Sequence, residues 1–307
     1  MADLLCMGEP MQEFNQQPGT ETFLRGHGGD TSNAAIAAAR QGASVGYISA
    51  IGTDAPGQSF LDLWAREGVD SSTVKRNPAA PTAVYFVTHD TSGHSFSFHR
   101  SGSAASCYAP EDVPEAALRG ARMLHLSGIS QAISASACDA CFHAMEVARA
   151  HGVAVSYDTN LRLKLWPRAR AAAVMHAAIA MADLCLPSLD DAMVLTGLVQ
   201  PDEIADFYLR LCPVVVLKLG REGALLATRE SRLRLASHAV QAVDATGAGD
   251  TFAGAFLARR LAGDSLAEAA TYANAAAALS TTGYGAVAPI PGPAQVRDLL
   301  RRGGGAT

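Results

Sequence analysis

VQAVDATGAGDTFAGAFL, residues Val240 to Leu257, is the stretch around which the rest of the sequence is organised. An alternating apolar run leads into the small-residue turn Thr246-Gly247-Ala248-Gly249, and Asp250 then begins a helical pattern. Glycines let a backbone approach another group closely, and the first turn of a helix presents unpaired N–H groups to an anion. Asp250 therefore lies beside a place suited to phosphate. This pairing predicts phosphoryl transfer, with Asp250 accepting the proton of the acceptor hydroxyl.

The same stretch has a simpler interpretation. Asp250 can be an ordinary first-turn acid, with glycines that only allow a tight turn before a packed helix. The full string DATGAGDTFAGAF, however, closely resembles the C-terminal signature of the ribokinase-like (PfkB) sugar kinases. The resemblance implies that Asp250 is the catalytic base and that the amides of Gly247, Ala248 and Gly249 form the anion hole.

A second motif, Gly28-Gly29-Asp30-x-x-Asn33, opens an alanine-rich helical pattern. Its glycines allow backbone contact with a ligand, and Asp30 and Asn33 can hydrogen-bond to vicinal hydroxyls. A plain helix N-cap is the alternative, because Asp30 and Ser32 are both good capping residues. The segment resembles the N-terminal sugar-binding signature of the PfkB family, which implies that Gly28, Gly29, Asp30 and Asn33 bind the substrate.

Segments from the middle of the chain narrow the resemblance. FHRSGSA (98–104), HLSGI (125–129) and DTNLR (158–162) look like parts of 2-dehydro-3-deoxygluconate (KDG) kinases. The resemblance implies that Tyr85, Arg100 and Arg162 contact the substrate. KDG carries a carboxylate, for which an arginine is the best partner, although each arginine can instead be a surface ion-pair partner. Tyr284 departs from this pattern, because KDG kinases often carry an acid there that touches the sugar.

The resemblance also extends to the nucleotide. Lys218-Leu219-Gly220-Arg221-Glu222-Gly223 is similar to a K-x-G-x-x-G turn beside ATP in the family. Ser188-x-x-Asp191 replaces the usual N-x-x-E, so the resemblance implies that Asp191 helps to position Mg²⁺ through water; as an alternative, Asp190 and Asp191 are first-turn acids of a helix. The residues do not decide whether a monovalent cation is also required. The nucleotide-binding residues implied in this way are Asn160, Ser188, Lys218, Gly220, Gly223, Thr246, Gly247, Gly249 and Asn274.

Composition excludes several classes of protein. With 307 residues, 49% hydrophobic and 17% charged, the chain is globular, and its net charge of −5 argues against a nucleic-acid surface. No Walker-type phosphate loop occurs, and no dinucleotide-binding G-x-G-x-x-G follows the first strand. Cys138-x-x-Cys141 fits two buried helix residues better than zinc or redox use. No signal peptide or membrane span is recognised, so we expect a reducing cytoplasm.

Strand-like and helical segments alternate, which indicates a parallel sheet with helices on both faces. Residues 11–25 look polar and irregular, with a turn at Pro18-Gly19, whereas residues 82–100 read as a hairpin around Asp-Thr-Ser-Gly. The sequence thus predicts one α/β domain over residues 1–307, a ribokinase-like three-layer α/β/α sandwich with a small β-sheet lid from segments 11–25 and 82–100. An exposed lid face with Phe86, Phe96 and Phe98 is expected to favour a homodimer.

The expected reaction is transfer of the γ-phosphoryl group of ATP, with Mg²⁺, to O6 of KDG. A kinase of another sugar (fructose, ribose or another deoxy-keto acid) or of a nucleoside keeps Asp250 and changes the lid residues. A sugar-sensing relative without catalysis is the alternative from a different class; it predicts stabilisation by ligand without release of ADP. No nucleic acid or membrane partner is expected.

Overall fold

The computed structural model describes residues 2–17, 19–90 and 93–303. Among these residues strands and helices alternate as the sequence predicts. The strands are β1 (Leu4–Met7), β2 (Met11–Gln16), β3 (Phe23–Gly28), β4 (Val45–Gly52), β5 (Val69–Asp70), β6 (Val74–Asn77), β7 (Ala83–Asp90), β8 (Gly93–His99), β9 (Met123–Ser127), β10 (Ala154–Asp158), β11 (Leu184–Cys185), β12 (Val214–Lys218), β13 (Ala224–Ala227) and β14 (Arg232–Leu235). The α-helices are α1 (Asp30–Arg40), α2 (Ala55–Glu67), α3 (Glu115–Gly120), α4 (Gly128–Ala132), α5 (Ala135–Ala150), α6 (Arg168–Ala180), α7 (Leu189–Thr196), α8 (Pro201–Leu209), α9 (Ala248–Leu261), α10 (Leu266–Ser280) and α11 (Pro293–Gly303).

The central sheet has the strand order β14-β13-β12-β11-β10-β9-β1-β4-β5, with β6 also paired to β4. Its strands from β12 to β5 are parallel, and β13 and β14 add an antiparallel edge. Every residue of β1 and β4 is buried, as expected for parallel strands covered on both faces. The carboxyl ends of these strands lie along one edge, where ligands of such sheets usually bind.

Helices cover both faces of this sheet. Along β1, Leu5 and Met7 face one apolar core that includes residues of α5 and α6, whereas Leu4 and Cys6 face another with residues of α1, α9 and α10. The predicted three-layer α/β/α arrangement is confirmed. Cys138 and Cys141 are buried, unpaired residues of α5, as expected. None of the helices in the described ranges is both long and apolar enough to span a bilayer.

A second sheet has the order β3-β2-β7-β8 and brings the two predicted lid segments together. The prediction that residues 11–25 are irregular was wrong, because β2 and β3 form an antiparallel pair and β2 also pairs in parallel with β7. The sequence did not predict these strands because their residues are mostly polar and lack an apolar pattern. Pairing with neighbouring strands stabilises them instead. Gly19 has a left-handed φ of 74°, whereas Pro18, Thr91 and Ser92, in the predicted turns, lie outside the described residues.

The prediction that Phe86, Phe96 and Phe98 share one exposed face of the lid is wrong for Phe86. Phe96 and Phe98 are 44% and 45% exposed and share one face with Tyr85, since Phe98 is paired with Tyr85 across the strands. Phe86 follows Tyr85 along β7 and therefore lies on the opposite face, where it stacks on Phe14 with ring centroids 5.2 Å apart. The three phenylalanines belong to two surfaces, which we call the inner face, carrying Tyr85, and the outer face, carrying Phe86.

Candidate active site

The first turn of α9 forms the centre of the site. Gly247 caps the helix with φ +74°, and a Cβ atom there would lie 2.9 Å from Ala286 Cα, so this turn requires glycine. Thr246 donates from its amide and its hydroxyl to Asp244 Oδ1, at 2.9 and 2.6 Å. The amide of Gly285 donates to the other Asp244 oxygen at 2.9 Å. Asp244 thus shapes the turn that holds Thr246 and Gly247.

Asp250 is half-buried in this first turn. Asn33 Nδ2 donates a hydrogen bond to Asp250 Oδ2 at 2.8 Å. Burial and the nearby charge of Asp30 raise the pKa of Asp250 to about 7, against the opposing effect of the Asn33 hydrogen bond; the charge of Asp158 also raises it, and that of Lys218 lowers it. A carboxylate with a pKa near 7 is suited to general-base work at neutral pH.

The glycine motif brings the predicted sugar-binding residues to Asp250. β3 ends at Gly28, and Gly29 adopts φ +114° with no room for a Cβ atom, which would lie 2.5 Å from the carbonyl oxygen of Glu9. α1 then begins at Asp30, whose Oδ2 accepts a hydrogen bond from Asn160 Nδ2 at 2.6 Å. Asn33 Oδ1 is buried and accepts no hydrogen bond from any residue that the structure describes.

Tyr85 reaches this group from the inner face of the lid. A Cβ atom on Gly28 would lie 2.6 Å from Tyr85 Oη, so only glycine lets the ring approach. The Tyr85 hydroxyl donates to Glu13 of β2. Tyr85 therefore lies against the glycine motif, as a substrate contact would require.

The two predicted arginines differ in their surroundings. Arg100 is almost fully buried, and its Nη2 lies 3.0 Å from Oε2 of the equally buried Glu9. Burial raises the pKa of Glu9 to about 7, although the charge of Arg100 opposes this. Arg162 is exposed and donates to the carbonyl oxygen of Leu161 at 2.8 Å. The charge of Arg100 thus already has a partner, whereas no carboxylate among the described residues forms an ion pair with Arg162.

Several predicted nucleotide residues lie where strands of the central sheet end. Asn160 follows β10, Lys218 is the last residue of β12, and Gly220 and Gly223 follow it. Lys218 Nζ lies 2.5 Å from Asp158 Oδ2. Gly220 and Gly223 have φ +59° and +98°, and a Cβ atom on Gly223 would clash with the carbonyl oxygen of Leu235 at 1.9 Å. Asn274 belongs to α10, and its Nδ2 donates a hydrogen bond to the carbonyl oxygen of Ala236 at 2.7 Å. Among the described residues, no hydrogen bond joins Asn274 to Asp250.

Ser188 and Asp191 begin α7. Ser188 Oγ accepts from the amide of Asp191 at 3.2 Å, which makes Ser188 the N-cap. Asp191 Oδ2 accepts from Thr159 Oγ1 at 2.9 Å and from the amide of Leu161 at 3.1 Å. Both interpretations of this motif are therefore compatible with the structure, since Asp191 is a first-turn acid that also turns toward the 158–162 loop. No three His, Cys, Asp or Glu side chains within the described ranges group as metal ligands.

The sequence interpretation did not identify Glu9, Glu13 or Asp158 as members of the site. Asp158 ends a buried parallel strand, and Glu9 follows another. An acid at or just after the end of a buried parallel strand could have identified Glu9 and Asp158, because such strand ends meet at one edge of the sheet. The ion-pair partner of Glu9 cannot be predicted from the sequence in this way, because Arg100 is far from Glu9 along the chain.

A base, an amide-lined turn and a sugar-binding motif thus converge at one edge of the sheet. A family model described as pfkB family carbohydrate kinase matches residues 1–293. The chain belongs to the PfkB family. As a PfkB carbohydrate kinase, the protein is an ATP-dependent sugar phosphotransferase.

Several PfkB relatives match nearly the whole chain. The 2-dehydro-3-deoxygluconokinases of Bacillus subtilis and Thermoproteus tenax are 34% and 33% identical over 308 and 312 residues, which cover 97% and 98% of this chain and 95% of each relative. Fructokinase-1 of Zea mays is 32% identical over 292 residues, 91% of this chain and 90% of the relative. Kinases named for an acidic sugar and for a neutral one are thus almost equally similar.

Solved structures confirm the predicted ribokinase-like fold. A PfkB protein from Polaromonas sp. JS666 aligns with a TM-score of 0.87 and 34% identity over 97% of this chain and 99% of its own. A putative ribokinase II from E. coli, in complex with ATP and Mg²⁺, aligns with a TM-score of 0.90 and 25% identity over 98% of this chain and all of its own.

Proposed function

We propose that this PfkB kinase phosphorylates 2-dehydro-3-deoxy-D-gluconate on its primary hydroxyl, giving KDG 6-phosphate. The observation that carries the catalytic part is the position of Asp250, half-buried in the first turn of α9 and hydrogen-bonded to Asn33 of the glycine motif. The similar KDG kinases support the choice of substrate. We further propose that residues 1–307 act as one catalytic domain with the four-stranded sheet as its lid.

In this reaction Asp30, Asn33 and the backbone of the two glycines bind sugar hydroxyls. The unpaired Asn33 Oδ1 supports this role, because a buried amide oxygen needs a donor and a sugar hydroxyl supplies one. Asp250 accepts the proton of the attacking hydroxyl, and the amides of the 247–249 turn bind the transferring phosphoryl oxygens. Tyr85 covers the sugar from the inner face of the lid, and lid closure excludes water.

The residues present fit a nucleotide with Mg²⁺. The unpaired amides of a helix start are suited to phosphate, and Gly249 leaves space where a side chain would fill the cradle. Magnesium in kinases takes only one or two protein carboxylates together with phosphate oxygens and water. Asp191 would hold the ion through water, and the ion would neutralise charge on the phosphates. We propose that Lys218, Gly220, Gly223 and Asn274 line the nucleotide side of the site.

The arginines decide how well an acidic sugar fits. Arg162 is exposed and lies two residues beyond Asn160, which contacts Asp30 of the proposed sugar site. Within the described part of the chain, its guanidinium forms no ion pair with a carboxylate. Arg100 Nη2 already lies 3.0 Å from Glu9 Oε2, so Arg100 is less available to a substrate carboxylate than Arg162. We propose that Arg162 is the main partner of the KDG carboxylate.

A neutral keto sugar such as fructose is the second candidate. The Glu9–Arg100 pair is the observation in its favour, because one of the two expected partners of a substrate carboxylate already contacts a carboxyl group of the protein. Tyr284, 80% exposed at the position of an expected acid, also weakens the KDG pattern. The similar fructokinases point the same way.

A substrate panel tests the proposal. ADP release is measured with KDG, other sugar acids, fructose, ribose and a nucleoside, and we expect kcat/KM for KDG to be highest by at least about tenfold. Arg162→Gln should then raise KM for KDG while leaving KM for fructose unchanged. A preference for fructose in the parent protein would overturn the choice of KDG. Stabilisation by a sugar without ADP release would support the sugar-sensing alternative.

We also propose a homodimer formed through the lid. Exposed apolar side chains on the inner face of the lid, Leu24, Phe96 and Phe98, support it. Light scattering should give twice the chain mass, and a monomeric mass at micromolar concentration would contradict the dimer.

A further inference from the structure

Lys218 lies where two strands of the central sheet end. It is the last residue of β12, Asp158 is the last residue of β10, and only the two-residue β11 separates these strands. The long lysine side chain crosses over this short strand and places its Nζ 2.5 Å from Asp158 Oδ2. Both side chains are largely buried, with 13% and 7% of their surfaces exposed.

The same ammonium also lies against the first turn of α9. A Cβ atom on Gly249 would lie only 3.3 Å from Lys218 Nζ. The first amides of a helix have no intrahelical partner, and the positive end of the helix dipole disfavours a cation there. Burial disfavours the ammonium as well, yet the pKa of Lys218 is raised, because the charges of Asp158, Asp250 and Asp191 outweigh burial.

The ammonium and the unpaired amides of the helix start offer hydrogen-bond donors to the same space, so an anion there would be bound from two sides. An ammonium has three donors, so Lys218 can keep its bond to Asp158 and still donate to a phosphoryl oxygen. We propose that Lys218 is a catalytic residue that binds the γ-phosphoryl group of ATP together with the amides of the 247–249 turn, and that Asp158 positions it. This inference rests on the phosphoryl transfer described above, and it assigns Lys218 to the reacting group rather than to the rest of the nucleotide.

The transfer step gives Lys218 a defined task. A bond forms between the acceptor oxygen and the γ-phosphorus while the bond from that phosphorus to the β–γ bridging oxygen breaks, and ADP leaves. The acceptor proton passes to Asp250. Lys218 stays protonated throughout and offsets the negative charge on the non-bridging oxygens as the phosphoryl group moves.

Three variants separate catalysis from support of the fold. Lys218→Met should lower kcat by about 10²–10³-fold with KM for the sugar within about threefold. Lys218→Arg, which keeps the charge, should recover part of this loss. A purely structural lysine that only neutralises Asp158 predicts that Asp158→Asn/Lys218→Met regains nearly the parent kcat, because neither buried charge remains. Our proposal predicts that the double variant stays as slow as Lys218→Met, and recovery in the double variant would overturn it.

Nucleotide titrations give a readout without turnover. Calorimetry with Mg²⁺ and either AMP-PNP or ADP, without sugar, should show that Lys218→Met weakens AMP-PNP binding by about tenfold or more and ADP binding by less than about twofold. An equal loss for both nucleotides, or no loss for AMP-PNP, would contradict a contact with the γ-phosphoryl group. A parent protein that binds both nucleotides but phosphorylates no sugar of the panel would contradict the proposed function and leave the assignment of Lys218 intact.

Discussion

Burial raises the pKa of Asp250, the charge of Asp30 raises it further, and the hydrogen bond from Asn33 lowers it. The charge of Asp30 disfavours a second carboxylate nearby, whereas the hydrogen bond from Asn33 favours the ionised form. The balance leaves Asp250 half-ionised near pH 7 in the free protein. A general base must be deprotonated, so activity is present above this pH and is lost below it.

The pH profile of kcat/KM tests this balance. We expect an acidic limb near pH 7 in the parent protein. Asp30→Asn removes the like charge and should move the limb to lower pH, whereas Asn33→Ala removes the favourable hydrogen bond and should move it to higher pH. Both variants are expected to lose activity as sugar-binding residues, so the measured quantity is the position of the limb and not its height. Shifts in the same direction for both variants would contradict the assignment.

α1 and α9 are the two helices that carry Asn33 and Asp250, and their packing fixes the distance between these side chains. Gly254 lies where the helices meet, and a Cβ atom there would come within 2.2 Å of the carbonyl oxygen of Ala34 and 2.7 Å of Ala37 Cβ. Because both neighbours are short and belong to a helix, they cannot move aside without moving α1. The geometry of the base thus depends on a glycine one turn beyond Asp250 in α9.

Gly254→Ala should therefore affect both stability and catalysis. We expect the free energy of unfolding to fall by about 1–3 kcal/mol, as for other overpacked cores, and kcat to fall because α9 shifts relative to Asn33. Denaturant unfolding and steady-state kinetics measure the two effects. Gly292→Ala is the matched control, since its nearest neighbour would be 3.8 Å away, and it should change the free energy of unfolding by less than about 0.5 kcal/mol.

For the whole molecule, the raised pKa of Asp250 lowers the free energy of unfolding at neutral and alkaline pH. The folded state holds the proton of Asp250 up to about pH 7, whereas the ordinary value is 3.8. The folded state is therefore destabilised relative to the unfolded state as the pH rises between these values, and the cost is constant above pH 7. Asp250→Asn removes this cost and can still accept the hydrogen bond from Asn33.

At pH 8 the free energy of unfolding of Asp250→Asn should exceed that of the parent by about 1–2 kcal/mol, after allowance for partial exposure of the carboxylate. The variant should therefore unfold at a higher denaturant concentration. The difference should vanish at about pH 3, where the parent carboxyl group is protonated in the folded state and largely protonated in the unfolded state. At pH 8 the same variant should lose nearly all turnover while still binding nucleotide. Equal stability of parent and variant at pH 8 would show that the pKa of Asp250 is not raised by folding.

The sequence predicted the central sheet well because its strands are apolar runs buried on both faces, as in β1 and β4. It failed for β2, whose polar residues Gln12 and Glu13 find their partners in β3 and β7. The glycine motifs could be predicted, since glycine marks a special backbone wherever it occurs. The pairs Glu9–Arg100 and Asp158–Lys218 could not, because charge along a chain does not show which distant residue a fold brings beside it.

The Glu9–Arg100 pair has a mechanical consequence for the lid. Glu9 lies just before β2 and Arg100 just after β8, so the pair joins the points where the chain enters and leaves the four-stranded sheet. The contact of these two buried side chains therefore holds the base of the lid together. We expect any movement of the lid over the sugar to be larger at Phe96 than at Tyr85, because Tyr85 lies against Gly28.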